Sequence, residues 1–202
     1  MILCTECYIQ QEGKILMLYR NKKEHDINEG KWLGVGGKFE PGESPEQCLL
    51  REVKEETGVT LTAFKLHGVM TFVTLDGSSE PLYIFIFTAS AFSGEVGECN
   101  EGTLAWIDTD KVADLERWEG DRLFWDWIQQ DAPFFSAYFE YDGDRLQKHS
   151  VTFYDDTRVL KSPGSIEEVR AQFQQEMKGT VALPGAERDG GGWSAHVIEN
   201  CF

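Results

Sequence analysis

Three glutamates, Glu52, Glu55 and Glu56, lie within a stretch whose apolar residues recur at helical spacing. On a helix these positions share one face, because residues three and four apart are neighbours. Like charges at this spacing repel one another by a few tenths of a kcal/mol, even when exposed. A hard divalent cation reverses the sign of that interaction and prefers oxygen ligands. Three such charges alone more often form a solvated acidic face, so the metal site depends on the pattern that surrounds them.

The helix that contains these glutamates has recognisable ends, which predict a helix over Ser44–Thr57. Ser44 is a suitable N-cap, Pro45 suits the first helical position, and Gln47 completes a capping box. Gly58 follows the last helical residue and provides a C-terminal stop. The carboxylates are therefore expected near the C-terminal end of a helix with fixed boundaries.

A longer pattern surrounds the helix: residues 37–59 match GX5EX7REUXEEXGU at every specified position, where U is apolar. This segment resembles the signature of the Nudix family. The resemblance implies an α+β Nudix fold, in which a mixed β-sheet is sandwiched between helices and the signature forms a loop-helix-loop. It also implies hydrolysis of a nucleoside diphosphate linked to another group, with Mg²⁺ as the first candidate cofactor and Mn²⁺ as the second.

The resemblance assigns roles to matching positions. It implies a catalytic role for the four charged residues Arg51, Glu52, Glu55 and Glu56, with Arg51 positioning the others. Glu101 resembles a distant acidic residue that binds metal or activates water in the same group, so the choice of general base between Glu56 and Glu101 stays open. The expected metal ligands are Gly37, through its carbonyl, and the side chains of Glu52, Glu55, Glu56 and Glu101.

The segments that flank the signature resemble the MutT-like branch, which hydrolyses oxidised purine nucleoside triphosphates. The matching stretches are residues 30–38, 100–106, 118–121 and 133–137. They suggest phosphate contacts from Lys38 and Arg20, although both could be ordinary surface cations. The residues expected at the base are Trp118 for stacking, Asp121 for reading ring N–H groups, and Phe72, Leu33 and Thr5 as pocket lining.

Two departures from the MutT-like pattern bear on substrate preference. Leu33 stands where many members have asparagine, and Gly120 stands beside Asp121 where the mammalian type has a second acid. Matched donors and acceptors can contribute orders of magnitude to discrimination, so losing two of them favours a broader nucleotide preference.

The expected reaction is Mg²⁺-dependent cleavage of (d)NTPs, with 8-oxo-dGTP or a related oxidised purine triphosphate as substrate, to the monophosphate and pyrophosphate. That activity would serve nucleotide-pool sanitation and hence DNA repair. The alternatives are hydrolysis of another nucleoside diphosphate derivative, such as ADP-ribose or a dinucleoside polyphosphate, or a non-catalytic nucleotide-binding module.

The net charge of −16 argues against polymeric nucleic acid or an anionic membrane as partner, since both require a basic face. No stretch approaches the roughly 18 apolar residues of a membrane span. Five irregularly spaced cysteines suggest free thiols in the cytoplasm. The sequence leaves open whether the protein is a monomer or a homodimer.

Two regions are expected along the 202 residues: a Nudix hydrolase domain over 1–155, and a C-terminal extension over 156–202 with one helix and a flexible tail. Hydrophobic patterning predicts further elements in the domain. The expected strands are 2–10, 14–20, 64–75, 81–92, 104–107, 135–141 and 146–154, and the expected additional helices are 108–115 and 120–130.

Overall fold

A computed structural model describes residues 1–22, 26–77 and 79–154 of the chain. The strands are β1 Ile2–Gln11, β2 Lys14–Tyr19, β3 Trp32–Leu33, β4 Thr60–Thr74, β5 Leu82–Ser93, β6 Thr103–Asp108, β7 Phe135–Asp142 and β8 Arg145–Phe153. The helices are α1 Pro45–Thr57, α2 Glu119–Gln129 and a 3₁₀ helix over Thr109–Asp114. The expected extension over 156–202 lies outside the described residues, and the domain boundary at 155 stays a prediction.

The strands form one mixed sheet in the order β3-β2-β1-β5-β4-β7-β8, with β6 paired to β2. β1 runs parallel to β5, and β4 runs parallel to β7. The other pairs of named strands are antiparallel. The segment after β3 returns along β1 through bridges from Cys7 to Val35 and from Cys4 to Lys38. This return brings the start of the glutamate-rich segment against the centre of the sheet.

The two helices cover opposite faces of the sheet, which confirms the expected α+β sandwich. The buried stripe of α1, which includes Leu49 and Val53, packs with Cys7, Ile9 and Phe87 in one core cluster. Buried aromatic residues of α2 and of β7 form a separate cluster. Both faces of the sheet are apolar. A helix is therefore needed on each side, because an uncovered apolar face would be exposed to water.

The predicted ends of α1 are confirmed. The Ser44 hydroxyl accepts the Gln47 N–H, and the Gln47 side chain accepts the Ser44 N–H. Gly58 adopts a left-handed conformation with φ of 79°, and its N–H donates to the Lys54 carbonyl. Both ends follow from contacts within a few residues, which explains why the sequence predicts them correctly.

Other boundaries differ from the predictions. β3 was not expected, because its two residues are too few to show a period; they become a strand only by pairing with Leu18 and Tyr19. β4 begins at Thr60 rather than at 64. Irregular pairing between Leu61 and Gly68 interrupts the alternation of apolar and polar residues from which the strand was predicted. The segment expected as a helix over 108–115 is a 3₁₀ helix.

Two further expectations concern the described residues. Cys4, Cys7, Cys48 and Cys99 are free thiols, as the irregular cysteine spacing suggested. None of the helices in the described ranges is long and apolar enough to cross a membrane.

Candidate active site

A cavity of about 590 Å³ opens beside the N-terminal half of β1 and runs from α1 towards α2. One end is lined by the first part of the glutamate-rich segment, and the other end by aromatic and acidic residues near α2. It brings together ten of the residues that the sequence singles out: Thr5, Arg20, Leu33, Gly37, Lys38, Glu52, Phe72, Glu101, Trp118 and Asp121. Arg51, Glu55 and Glu56 are not among its lining residues.

Gly37 and Glu52 meet at the α1 end of the cavity. A Cβ atom on Gly37 would lie 2.5 Å from a carboxylate oxygen of Glu52, so no larger residue fits without displacing that side chain. The Gly37 carbonyl accepts the Thr5 N–H at 2.9 Å, which fixes the loop on β1. Glycine at this position therefore allows a carboxylate to lie directly against the loop backbone.

Arg51 organises the acidic residues of α1 from the side. Its guanidinium donates to Glu52 at 2.8 Å, to Glu55 at 3.2 Å and to both oxygens of Glu43 at 2.7 and 2.9 Å. The Arg51 contact lowers the pKa of Glu43 to about 2. Glu43 belongs to the signature but was given no role from the sequence. The structure shows that it anchors Arg51, which in turn donates to Glu52 and Glu55.

Glu56 is buried, with 7% of its surface exposed. Its carboxylate accepts the Gly36 N–H at 2.9 Å. Burial, with smaller contributions from the charges of Glu101 and Glu52, raises the pKa of Glu56 to about 8. The carboxyl groups of Glu52 on the same helix and of Glu101 from a distant part of the chain thus destabilise the charge of Glu56, a situation that a bound cation would relieve.

The donor set fits a hard divalent cation: carboxylates at Glu52, Glu56 and Glu101, and a backbone carbonyl at Gly37. Among the described residues, however, no three histidine, cysteine or carboxylate side chains converge closely enough to hold a metal as oriented. Arg51 engages Glu52 and Glu55, and the Gly36 N–H engages Glu56. The side chain of Glu55 is 60% exposed and does not line the cavity.

The two candidate phosphate-binding residues have different surroundings. Arg20 forms an ion pair with Asp26 at 2.6 Å and another with Glu101. To contact a phosphate, Arg20 would have to share its guanidinium with these acids. Lys38 lines the cavity beside Gly37, and its carbonyl accepts from Arg51 at 3.0 Å. Lys38 is therefore the cation that lies next to the carboxylate end.

Aromatic residues build the opposite end of the cavity. Trp118 is 5% exposed and packs edge-on against Phe72 and Tyr141. Its indole N–H donates to Asn28 at 2.8 Å, and the Lys31 ammonium lies 4.6 Å from its ring centre. Trp118 therefore both lines the cavity and anchors the start of α2 in the core.

Acidic residues complete this end. Asp121 is 3% exposed and lines the cavity. Burial, with a contribution from the charge of Glu6, raises the pKa of Asp121 well above its usual range. Leu33 contributes an apolar wall. Glu6 was missed from the sequence, because its position between buried residues of β1 gives no local signal of a polar role.

The mixed sheet between helices, with a carboxylate-bearing helix beside a ligand-sized cavity, is the arrangement that the resemblance of residues 37–59 implies. Residues 6–128 match the NUDIX domain, and the chain therefore belongs to the Nudix hydrolase family. This match confirms the resemblance expected from residues 37–59.

Individual relatives agree with this assignment. An oxidized purine nucleoside triphosphate hydrolase of Danio rerio is 32% identical over 155 residues, which are 76% of this chain and 96% of the relative. The uncharacterized Nudix hydrolase YvcI of Bacillus subtilis is 32% identical over 140 residues, which are 68% of this chain and 85% of the relative. Among solved structures, the MutT protein of Bacillus halodurans superposes with a TM-score of 0.67 at 27% identity, covering 75% of this chain and 97% of that one.

Proposed function

We propose that this protein is a metal-dependent pyrophosphohydrolase that converts purine nucleoside triphosphates into the monophosphate and pyrophosphate. The observation that carries the proposal is the continuity of one cavity from Glu52 and Gly37 at one end to Trp118 and Asp121 at the other. A nucleotide has the same division into an anionic end and a flat, hydrogen-bonding end. The volume of about 590 Å³ lies within the usual range for small-molecule sites.

The anionic end would hold Mg²⁺, or Mn²⁺, through the carbonyl of Gly37 and the carboxylates of Glu52, Glu55, Glu56 and Glu101. When bound, such a metal neutralises charge on phosphate oxygens and acidifies water. Arg51 keeps Glu52 and Glu55 oriented, and Lys38 and Arg20 attract the phosphates. Glu56 and Glu101 are the two candidates for the group that takes the proton from water.

The other end would hold the base. Phe72 and Trp118 provide flat apolar surface, Thr5 and Leu33 shape the walls, and Asp121 offers a hydrogen-bonding carboxyl group. The similarity to an oxidized purine nucleoside triphosphate hydrolase supports oxidised purines such as 8-oxo-dGTP. We therefore assign the protein to nucleotide-pool sanitation, with a consequent contribution to DNA repair, in the cytoplasm, where free thiols persist.

A substrate panel with product identification tests the proposal. We expect 8-oxo-dGTP and dGTP to be cleaved in Mg²⁺ to the monophosphate and pyrophosphate, with higher kcat/KM for 8-oxo-dGTP. Turnover should require the metal and should fall by roughly 10²–10⁴-fold in Glu52→Gln. Equal kcat/KM values would remove the sanitation role, and cleavage of ADP-ribose alone would replace the triphosphate assignment.

A matched control is Glu119→Gln, which changes a carboxylate close to Trp118 that does not line the cavity. Glu119 accepts the Leu146 N–H at 3.3 Å, a bond that the glutamine amide oxygen can retain. The control should turn over nucleotides at the wild-type rate.

A further inference from the structure

A buried glutamate on β1 lies in the base-binding end of the cavity but has no role in the proposal so far. Glu6 is 8% exposed and lines the cavity. One of its oxygens accepts the Tyr8 hydroxyl at 2.8 Å and the Gly34 N–H at 2.8 Å. Within the described ranges, the other oxygen accepts no hydrogen bond from the protein. The side chain is thus fixed through one oxygen, while the second remains for another partner.

Asp121 lies at the same end on α2, also with one oxygen that lacks a partner. Its Oδ2 is completely buried and forms no hydrogen bond with the described residues, although the side chain lines the cavity. Glu6 lies close enough for its charge to affect Asp121. A buried carboxyl oxygen without a partner costs stability, so the unpartnered Oδ2 of Asp121 beside Glu6 is expected to serve a ligand.

The protein holds this acidic pair in place with a buried cation. Arg117 is 3% exposed and donates to the Tyr8 hydroxyl at 3.0 Å and to the Asp121 carbonyl at 3.3 Å. Its guanidinium also lies 5.6 Å from the centre of the Tyr8 ring. The result is a continuous link from Arg117 through Tyr8 to Glu6. Such a link orients the Glu6 carboxyl group and offsets its charge without occupying its second oxygen.

Leu33 immediately precedes Gly34, whose N–H binds Glu6. Since leucine cannot form a hydrogen bond, this wall of the cavity has no side-chain reader of its own at position 33. Glu6 reaches the same wall from β1 and brings an acceptor there.

We propose that Glu6 is a specificity-determining residue that, together with Asp121, accepts hydrogen bonds from adjacent N–H groups of a nucleobase and so selects guanine-type bases. The inference rests on the proposed function, in that a nucleotide occupies the cavity. Guanine presents a ring N–H and an amino group side by side. Adenine presents an amino group beside a bare ring nitrogen, and that nitrogen would face the second oxygen of Glu6 without a proton between them.

The discriminating variant is Glu6→Gln. The amide oxygen of glutamine can keep the bonds from Tyr8 and Gly34, which turns the amide NH₂ towards the cavity as a donor in place of an acceptor. The measured quantity is the ratio of the Kd for dAMP to the Kd for dGMP, obtained by calorimetry. We expect this ratio to fall about 10- to 100-fold in Glu6→Gln and to stay at the wild-type value in Glu119→Gln.

A second measurement uses the wild-type protein only, and so does not depend on the variant folding. N1-methyl-dGMP lacks the ring N–H and should bind about 10- to 100-fold more weakly than dGMP. An unchanged ratio in folded Glu6→Gln, or equal binding of dGMP and N1-methyl-dGMP, would overturn the assignment of Glu6.

Binding and turnover separate the two proposals. If guanine selectivity depends on Glu6 but no triphosphate is cleaved, the hydrolytic assignment fails and the Glu6 assignment stands. If triphosphates are cleaved with an unchanged binding ratio in Glu6→Gln, the reverse holds. Absence of any nucleotide binding would overturn both.

Discussion

At the scale of single residues, the active site is a set of charges that the protein alone does not balance. Arg51 compensates Glu43, Glu52 and Glu55 by direct contact. Among the described residues, the carboxyl group of Glu56 accepts a hydrogen bond from the Gly36 N–H alone, and the charges of Glu101 and Glu52 oppose its ionisation. Glu56 is therefore the residue at which the site most favours a proton or a cation.

Glu56→Gln should remove a pH dependence of stability in metal-free protein. The folded-state pKa of Glu56 is about 8, above its ordinary value of 4.5, so the folded state retains a proton that the unfolded chain releases. The free energy of unfolding of the wild type should therefore decrease by about 4 kcal/mol as pH rises from 4.5 to 8. The variant should lack this part of the decrease, measured by urea unfolding with EDTA present.

The matched control is Glu55→Gln, whose side chain is 60% exposed on the same helix. It should keep the pH slope of the wild type. Identical slopes in the wild type and in Glu56→Gln would mean that Glu56 is ionised in the folded protein throughout this range.

At the scale of elements, α1 holds its glutamates at fixed positions because both of its ends are fixed. The capping box at Ser44 and Gln47 sets where the helix begins, and the left-handed Gly58 sets where it ends. Glu52 and Glu56 lie one turn apart between these ends, so their height above the sheet depends on the helix not fraying.

Gly58→Ala should destabilise the protein by about 1 to 2 kcal/mol, because φ of 79° is strained for a residue with a Cβ atom. Space is not the limiting factor, since the nearest contact of that Cβ would be the Glu95 carbonyl at 3.4 Å. Gly58→Asn should recover part of the loss, as asparagine tolerates this conformation better. Chemical unfolding of the wild type and the two variants provides the comparison. An equal loss of stability in Gly58→Asn and Gly58→Ala would contradict a conformational cause.

At the scale of the whole molecule, the net charge of −16 opposes the binding of a polyphosphate. Within the cavity, Arg20 and Lys38 place positive charge at the phosphate-binding end, which reduces this repulsion locally. A divalent cation at the carboxylates would reverse the sign of the potential where the phosphates lie.

Mg²⁺ should consequently stabilise the folded protein. At a concentration 100 times its Kd, a ligand specific for the folded state contributes about 2.7 kcal/mol, which corresponds to a rise in Tm of roughly 5–10 °C for a protein of this size. Thermal unfolding in MgCl₂ and in NaCl of equal ionic strength should reveal the difference. The rise should be reduced in Glu52→Gln and retained in Glu119→Gln; equal curves in the two salts would argue against a specific metal site.

Structural features that depend on residues close together along the chain could be predicted from the sequence alone. The caps of α1, the shared face of the three glutamates and the contact of Arg51 with Glu55 follow from the local spacing of residues on a helix. The choice of fold also followed, because the signature over residues 37–59 is continuous and the family match extends over residues 6–128.

Which residues that are distant along the chain come into contact depends on the tertiary fold and could not be predicted from the sequence. Arg20 pairs with Glu101 across 81 positions, Trp118 donates to Asn28 across 90, and Arg117 reaches Tyr8 across 109. Glu6 gave no signal in the sequence, because its burial beside Gly34 and Asp121 depends on how β1, the loop after β3, and α2 pack together. Hydrogen bonds between strands and across faces are set by register and packing, and these are properties of the folded sheet rather than of local spacing.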